Sequence, residues 1–268
     1  MNSLKIKIKI YIMYNYPYLL SFVISIKEFL GYSSLKQTKF KNKDYPKNIS
    51  KKVQNGPFKG MIYDCENYWG NIYPKLLGSY ESELHKIIES LIKINFDNII
   101  NVGSAEGYFS IGFALKSNVD EIIAVDPFRS SKKEINSLII KNNITKKISF
   151  KFWTSSNRLS KWVKKKTLIL MDCEGAEAGY LKNNSSTNFN KAHILCEIHD
   201  FSDHPNIGSD LIKRFNKTHR IEIIKQEKRQ FHKYGTNENL SEKQKVILLD
   251  ENRPKSNYWI FFEPILDR

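Results

Sequence analysis

Asn101-Val-Gly-Ser-Ala-Glu-Gly107 places two glycines four residues apart, between the apolar pair Ile99-Ile100 and a helix-like segment from Tyr108 to Leu115. Glycines at such a bend let the backbone approach a ligand closely, and the helix that opens beyond it offers free N–H groups to an anion. One helix length later, Ile122-Ile-Ala-Val-Asp126 ends an apolar run in an acid, whose oxygens can accept the hydroxyls of a ribose. Together these segments describe a nucleotide-binding βαβ unit. Its G-x-x-x-G spacing is not the G-x-G-x-x-G of dinucleotide enzymes, and no G-x-x-x-x-G-K-[ST] loop occurs in the chain. Without a pyrophosphate cradle, the expected ligand is a nucleoside lacking phosphates, for which S-adenosylmethionine is the candidate. The helix opening at Gly107-Tyr108 suits its methionyl carboxylate, and Glu106 is placed to receive its ammonium.

Two further segments carry acids and a histidine at strand ends. Leu168-Ile-Leu-Met-Asp172-Cys-Glu174 follows a fully apolar strand with two carboxylates, which can orient a substrate, hold a cation or take a proton. In Leu195-Cys-Glu197-Ile-His199, the glutamate and histidine lie two apart on a strand and so share one face. His199 is the expected proton acceptor, with Asp172 or Glu197 orienting it. Asp200, Asp203 and His204 could join Asp172 around a divalent ion, but no metal site is assigned.

The elements that must position these groups alternate along the chain. An amphipathic helix is expected over 79–94, followed by strands over 97–102, 121–126, 148–153, 167–172, 192–199 and 220–225. Helices are expected from Ser131, where Glu134 would complete a capping box, over 206–215, and from Ser241 with Gln244 to about Asn252. Tyr258 to Phe262 is the last strand. Alternating βα units imply a mostly parallel α/β sheet with helices on both faces and ligands at the carboxyl ends of the strands.

The net charge of +15 is unevenly spread, since residues 1–60 hold twelve lysines and only two acids. Residues 1–54 read as a basic N-terminal extension and linker, and 55–268 as a Rossmann-like domain. The uncharged run from Ile10 to Ile26 is shorter than the roughly 20 residues a spanning helix needs and contains Pro17. It reads as a helix that packs on the domain or rests on a membrane surface. Three dispersed cysteines, Cys65, Cys173 and Cys196, indicate neither a disulfide framework nor a zinc site, so a cytoplasmic setting with peripheral membrane contact is expected.

Taken together, Val102-Gly103-Ser-Ala-Glu-Gly107-Tyr108, Asp172-Cys-Glu174-Gly175-Ala-Glu177 and Glu197-Ile198-His199 resemble the FkbM-like branch of class I S-adenosylmethionine-dependent methyltransferases. Gly56-Pro-Phe-Lys-Gly-Met61 and Pro74 to Glu81 are similar to the leading segment of related methyltransferases, so the resemblance spans about residues 55 to 263. It implies a seven-stranded Rossmann-like sheet with the last strand antiparallel, S-adenosylmethionine as cofactor, and O-methylation of a sugar or other small hydroxyl compound. By this match Gly103, Gly107 and Asp126 correspond to cofactor positions, and Asp172 with Glu174 to the strand-four active-site edge; Asn101, Ser104, Glu106 and Tyr108 of the same turn, with Asp172 and Glu174, are also expected at the cofactor. Asn101 departs from the acid with which many methyltransferases begin this motif, and Glu106 stands in for it. A nucleic-acid acceptor, suggested by the basic front, is disfavoured because the chain has no [DNS]-P-P-[YFW] motif and no Pro-Cys nucleophile. A non-catalytic nucleoside-binding or membrane-surface module is the remaining alternative.

Overall fold

Seven strands form one sheet in the order β3-β2-β1-β4-β5-β7-β6. They are β1 (Asn98–Val102), β2 (Glu121–Val125), β3 (Lys147–Lys151), β4 (Thr167–Met171), β5 (His193–Ile198), β6 (His219–Lys225) and β7 (Tyr258–Pro264). Strands β1 to β5 run parallel, and β7 lies antiparallel between β5 and β6. This computed structural model describes residues 50–66, 69–181, 187–200, 206–234, 240–254 and 256–265, with Tyr16, Leu19 and Val23. Most of the basic extension, and Asp203 and His204, lie outside the described residues. Among those described, no helix is long and apolar enough to cross a membrane.

The central strands are apolar throughout because both of their faces are covered. Along β1 and β4, Ile99, Leu168 and Leu170 enter one core, and Ile100, Val102, Ile169 and Met171 the other, as a period of two requires. Helices α1 (Ile72–Leu77), α2 (His85–Ile92) and α3 (Tyr108–Lys116) carry residues of the first core, including Leu76, Ile88, Leu91 and Phe113. Helix α4 (Arg129–Lys141) adds Ile135 and Leu138 to it. The second core takes Leu159 from α5 (Ser156–Trp162), Tyr180 from α6 (Glu177–Tyr180), and Leu211 and Phe215 from α7 (Ile207–Phe215). Burying each such large apolar side chain contributes roughly 1.5–3 kcal/mol. Helix α8 (Glu242–Leu249) starts at a capping box in which Ser241 and Gln244 satisfy each other's backbone N–H groups.

Two expectations are corrected. The segment over 79–94 is a 3₁₀ turn (Ser82–Leu84) leading into α2, because Glu81 sits in the left-handed region at φ 50° and breaks the helix there. Helix α4 begins two residues before Ser131 and has no side-chain cap bond at its start. Ser131 and Glu134 are used elsewhere: the Ser131 hydroxyl donates to Asp126 and the Glu134 carboxylate accepts the N–H of Glu66. Val53 is buried in the first core and its N–H donates to the Met61 carbonyl.

Candidate active site

The carboxyl ends of β1, β2, β4 and β5 share one rim, and each contributes a turn. After β1 the chain bends back on its neighbours: the N–H groups of Gly103 and Ser104 both donate to the Val125 carbonyl of β2, at 2.9 and 3.0 Å. Gly103 has φ 78°, and a Cβ there would lie 1.6 Å from the carbonyl oxygen of Asp172. Gly107 has φ 100°, and a Cβ would come within 2.7 Å of the Ile135 side chain. Gly103 is therefore required by backbone approach as well as by conformation, and Gly107 by its conformation and the Ile135 side chain packed against it. Between them Ala105 is held at φ 45°, a position that costs a non-glycine residue of order 1–3 kcal/mol and recurs at ligand sites. Gly107 opens α3 with no side-chain cap, leaving the first-turn N–H groups for a ligand.

Ser104 is 4% exposed, and its hydroxyl oxygen is buried with no hydrogen-bond partner among the described residues. A buried hydroxyl left unpaired costs about 1–3 kcal/mol. This orphan in the bend is the local signature of a polar ligand group. Asp126 stands beside it, 5% exposed. Its Oδ2 accepts the Ala105 N–H at 2.9 Å, while Oδ1 accepts the Phe128 N–H at 3.0 Å and the Ser131 hydroxyl at 2.7 Å. One lone pair of Oδ2 remains, enough for one ribose hydroxyl; a second needs Ser131 to turn away. Burial pushes the Asp126 carboxyl up to about 6, against the lowering effect of these three donors.

Glu106 is corrected. It does receive an ammonium, but that of Lys75, with which it forms a buried ion pair. The same Oε1 accepts the Tyr63 hydroxyl, and Oε2 accepts the Trp69 N–H at 3.1 Å. At 1% exposed and paired with a buried ammonium, it is turned inward rather than presented to a ligand. Asn101 likewise turns inward, donating to the Ser110 hydroxyl at 2.9 Å, and ties β1 to α3. Tyr108 packs edge-on against Phe58, Tyr63 and Tyr80 in the first core.

The acceptor half of the rim centres on His199, 6% exposed at the end of β5. Its Nδ1 lies 3.1 Å from Oε1 of Glu177. That oxygen also accepts the N–H groups of Cys173 (3.2 Å) and Gly175 (3.0 Å), so Glu177 locks both the β4 turn and the ring. The other ring nitrogen, Nε2, faces Glu197 at 3.4 Å and Asp172 and Glu174 at 3.7 Å each. Burial alone would lower the imidazole; the hydrogen bond to Glu177 and the charges of Glu177, Asp172 and Glu197 outweigh it and raise it to about 10. Asp172 is raised by loss of water and then by the charge of Glu197. Glu197 is opposed by burial but drawn down overall by His199 and Arg253. The surrounding acids thus favour the protonated form of the ring.

Asp200 is held by the fold. Its Oδ1 accepts the N–H groups of Ile207 (2.9 Å) and Gly208 (3.4 Å) at the start of α7, and its Oδ2 accepts the Tyr258 hydroxyl at 3.2 Å, so it is taken up by structure. Sequence reasoning missed two groups. Glu177, the third acid of the strand-four motif, was visible in spacing but was given no role. Arg253 had no local signal: its Nε and Nη2 donate to Glu197 Oε1 at 3.0 and 2.6 Å, across 56 residues of chain. Arg253 also donates to Glu81 and to Glu83, and Arg229 bridges Glu83 and Glu251, so a buried ionic network backs the β5 acid. Cys173 sits in the same turn, but burial and then the charge of Glu177 push its thiol up, away from reactivity.

No family model matches the chain, and no curated protein does. Among solved structures, it is similar to an rRNA methylase from Streptococcus thermophilus at 6% identity and a TM-score of 0.46, over 69% of this chain and 97% of that one. It is similar to an S-adenosylmethionine-dependent O-methyltransferase from Thermotoga maritima at 10% identity and a TM-score of 0.45, over 74% and 72%. It is also similar to TrmK from M. capricolum, solved with S-adenosyl-homocysteine, at 12% identity and a TM-score of 0.40, over 65% and 64%. Likenesses this distant carry no argument about chemistry, and the case for function rests on the site's own geometry.

Proposed function

We propose that this chain is an S-adenosylmethionine-dependent methyltransferase of the FkbM-like kind that O-methylates a sugar or another small hydroxyl-bearing acceptor. The observation that carries the reading is the buried, unpartnered Ser104 hydroxyl in a glycine bend beside Asp126, set against a histidine ringed by acids on the same rim. The bend and the open first turn of α3 hold the amino-acid end of the donor, Ser104 pairs with one of its polar groups, and Asp126 takes the ribose. When bound, the donor supplies a methyl on a sulfonium, an intrinsically good leaving group. The protein's work is then mainly alignment of methyl and acceptor oxygen, which can supply roughly 7–11 kcal/mol.

On the acceptor side, Asp172, Glu174 and Glu197 offer hydrogen-bond acceptors to hydroxyl groups, and Glu177 fixes the ring of His199 among them. This acid-lined rim favours a polyol over a nucleic acid, because a phosphodiester brought there meets four carboxylates. Binding is tested by calorimetric titration of the intact chain with S-adenosylmethionine, and transfer by S-adenosylhomocysteine release against free sugars, nucleotide-linked sugars and RNA. Asp126→Ala is expected to weaken donor binding roughly tenfold to a hundredfold, the worth of one hydrogen bond to a charged acceptor. Unaltered affinity in that variant, or no heat of binding in the parent chain, refutes the reading.

A further inference from the structure

We propose that Asp172, Glu174 and His199 form a binding site for a divalent transition cation of the Mn²⁺ type, on which the acceptor hydroxyl rests. One oxygen of each acid and a ring nitrogen of the histidine all lie within 4.8 Å of one another. Clusters of surface acids alone are common without any ion, and the buried ring is what sets this one apart. His199 is 6% exposed, and its Nδ1 is committed to Glu177, a fully buried carboxylate fixed in turn by two backbone N–H groups. A carboxylate behind one ring nitrogen is the arrangement that orients a histidine to ligate through the other.

That other nitrogen, Nε2, points at three carboxylate oxygens and hydrogen-bonds to none of them: the separations are 3.4 Å to Glu197 and 3.7 Å to Asp172 and Glu174. A pocket shaped around an N–H proton would close one of these contacts to about 2.7–2.9 Å. Metal–ligand bonds of about 2.0–2.2 Å instead set neighbouring ligands roughly 3.0–3.6 Å apart, depending on geometry. The observed 3.4 and 3.7 Å lie nearer to co-ligand spacing than to hydrogen-bond length. One imidazole with two carboxylates suits Mn²⁺ or Zn²⁺ more than Mg²⁺, which prefers oxygen alone. Glu197 stands as a fourth neighbour, its other oxygen already held by Arg253 and Asn257. Glu174, whose side chain is 84% exposed, leaves the outer side open for a hydroxyl.

The chemical role rests on the methyl-transfer reading, whereas the site itself does not. An acceptor hydroxyl held on the cation is acidified. Its oxygen forms a bond to the methyl carbon as the carbon–sulfur bond breaks, the sulfur keeps that electron pair, and the hydroxyl proton leaves to solvent water. The cation would also displace the proton from His199, since both claim Nε2.

The test is a titration of the full chain, freed of metal by chelation, with Mn²⁺, following the electron paramagnetic resonance signal of free Mn²⁺, beside a calorimetric titration with S-adenosylmethionine. One equivalent of Mn²⁺ is expected to be captured. Glu174→Gln, at a side chain too exposed to disturb folding, and Asp172→Asn are each expected to weaken capture at least about tenfold. Glu242→Gln, an exposed acid on α8, is the control expected to bind as the parent does. Mn²⁺ capture without S-adenosylmethionine binding upholds the cation site and refutes the methyl-transfer reading. S-adenosylmethionine binding with no Mn²⁺ capture overturns the inference and leaves that reading standing. Capture equally strong in Glu174→Gln and Asp172→Asn marks an adventitious ion and also overturns it.

Discussion

Replacing Lys75 by methionine tests the internal pairing of Glu106 directly. The two side chains are 5% and 1% exposed, and Lys75 also donates to the Trp69 carbonyl at 3.1 Å. Methionine fills much the same volume but leaves Glu106 buried with only the Tyr63 hydroxyl and the Trp69 N–H to hold its charge. Removing one partner of a buried pair costs about 3–5 kcal/mol. In a chain of this size that corresponds to a fall in Tm of roughly 6–20 °C. Adding Glu106→Gln should recover most of the loss, because its amide oxygen can keep the Trp69 N–H, its NH2 can donate to the Tyr63 hydroxyl oxygen, and the stranded charge is gone. The coupling between the two substitutions, from urea unfolding of both single variants and the double, is expected to exceed about 1.5 kcal/mol. The rival expectation is that Glu106 waits for a ligand's ammonium. On that view, Lys75→Met leaves stability nearly unchanged and tightens S-adenosylmethionine binding. A stability loss under about 1 kcal/mol together with tighter binding would therefore refute the internal pairing.

Two further outcomes follow from the bend. Gly107→Ala is expected to cost about 1–3 kcal/mol in denaturant unfolding, since φ 100° strains alanine and its Cβ meets Ile135 Cγ1 at 2.7 Å; in an Ile135→Ala background, which lacks that carbon, only the contact part of the cost should disappear. A neutral midpoint shift would show that the turn can rearrange. Donor affinity should decline as pH falls from 7.5 through about 6, where the buried Asp126 carboxyl takes up a proton and loses acceptor capacity. The sign for stability is opposite. A carboxyl raised in the folded state favours folding at low pH, and that contribution is lost as pH rises from 3.8 through about 6. Asp126→Asn should flatten the affinity profile in calorimetry between pH 5 and 7.5, and an unchanged slope assigns the titration to another group.

The sheet was legible because β1, β2, β4 and β5 are buried on both faces and so appear as continuous apolar runs ended by a glycine or an acid. Parallel strands also place those ends on one rim whatever the loops do, which is why Gly103, Asp126, Asp172, Glu197 and His199 were found together. Helix α5 was not anticipated: Ser156–Trp162 is too short for a periodic signal, although Ser155 caps it by accepting the Arg158 N–H. The fates of Glu106, Ser131 and Arg253 were illegible for a different reason. Each is decided by a partner that only the fold brings near: Lys75 for Glu106, Asp126 for Ser131 and Glu197 for Arg253. The upward shift of His199 comes from Glu177, Asp172 and Glu197, drawn from two separate strand ends, and spacing reveals each of them but not their sum.

The absent side chain at residue 103 joins the two halves of the rim mechanically. With the Asp172 carbonyl seated where a Cβ would be, the first turn and the fourth share a contact with no slack. Neither loop can be lifted or tilted without carrying the other along. Whatever occupies one side of this crevice is thereby felt, through a single peptide group, on the opposite side.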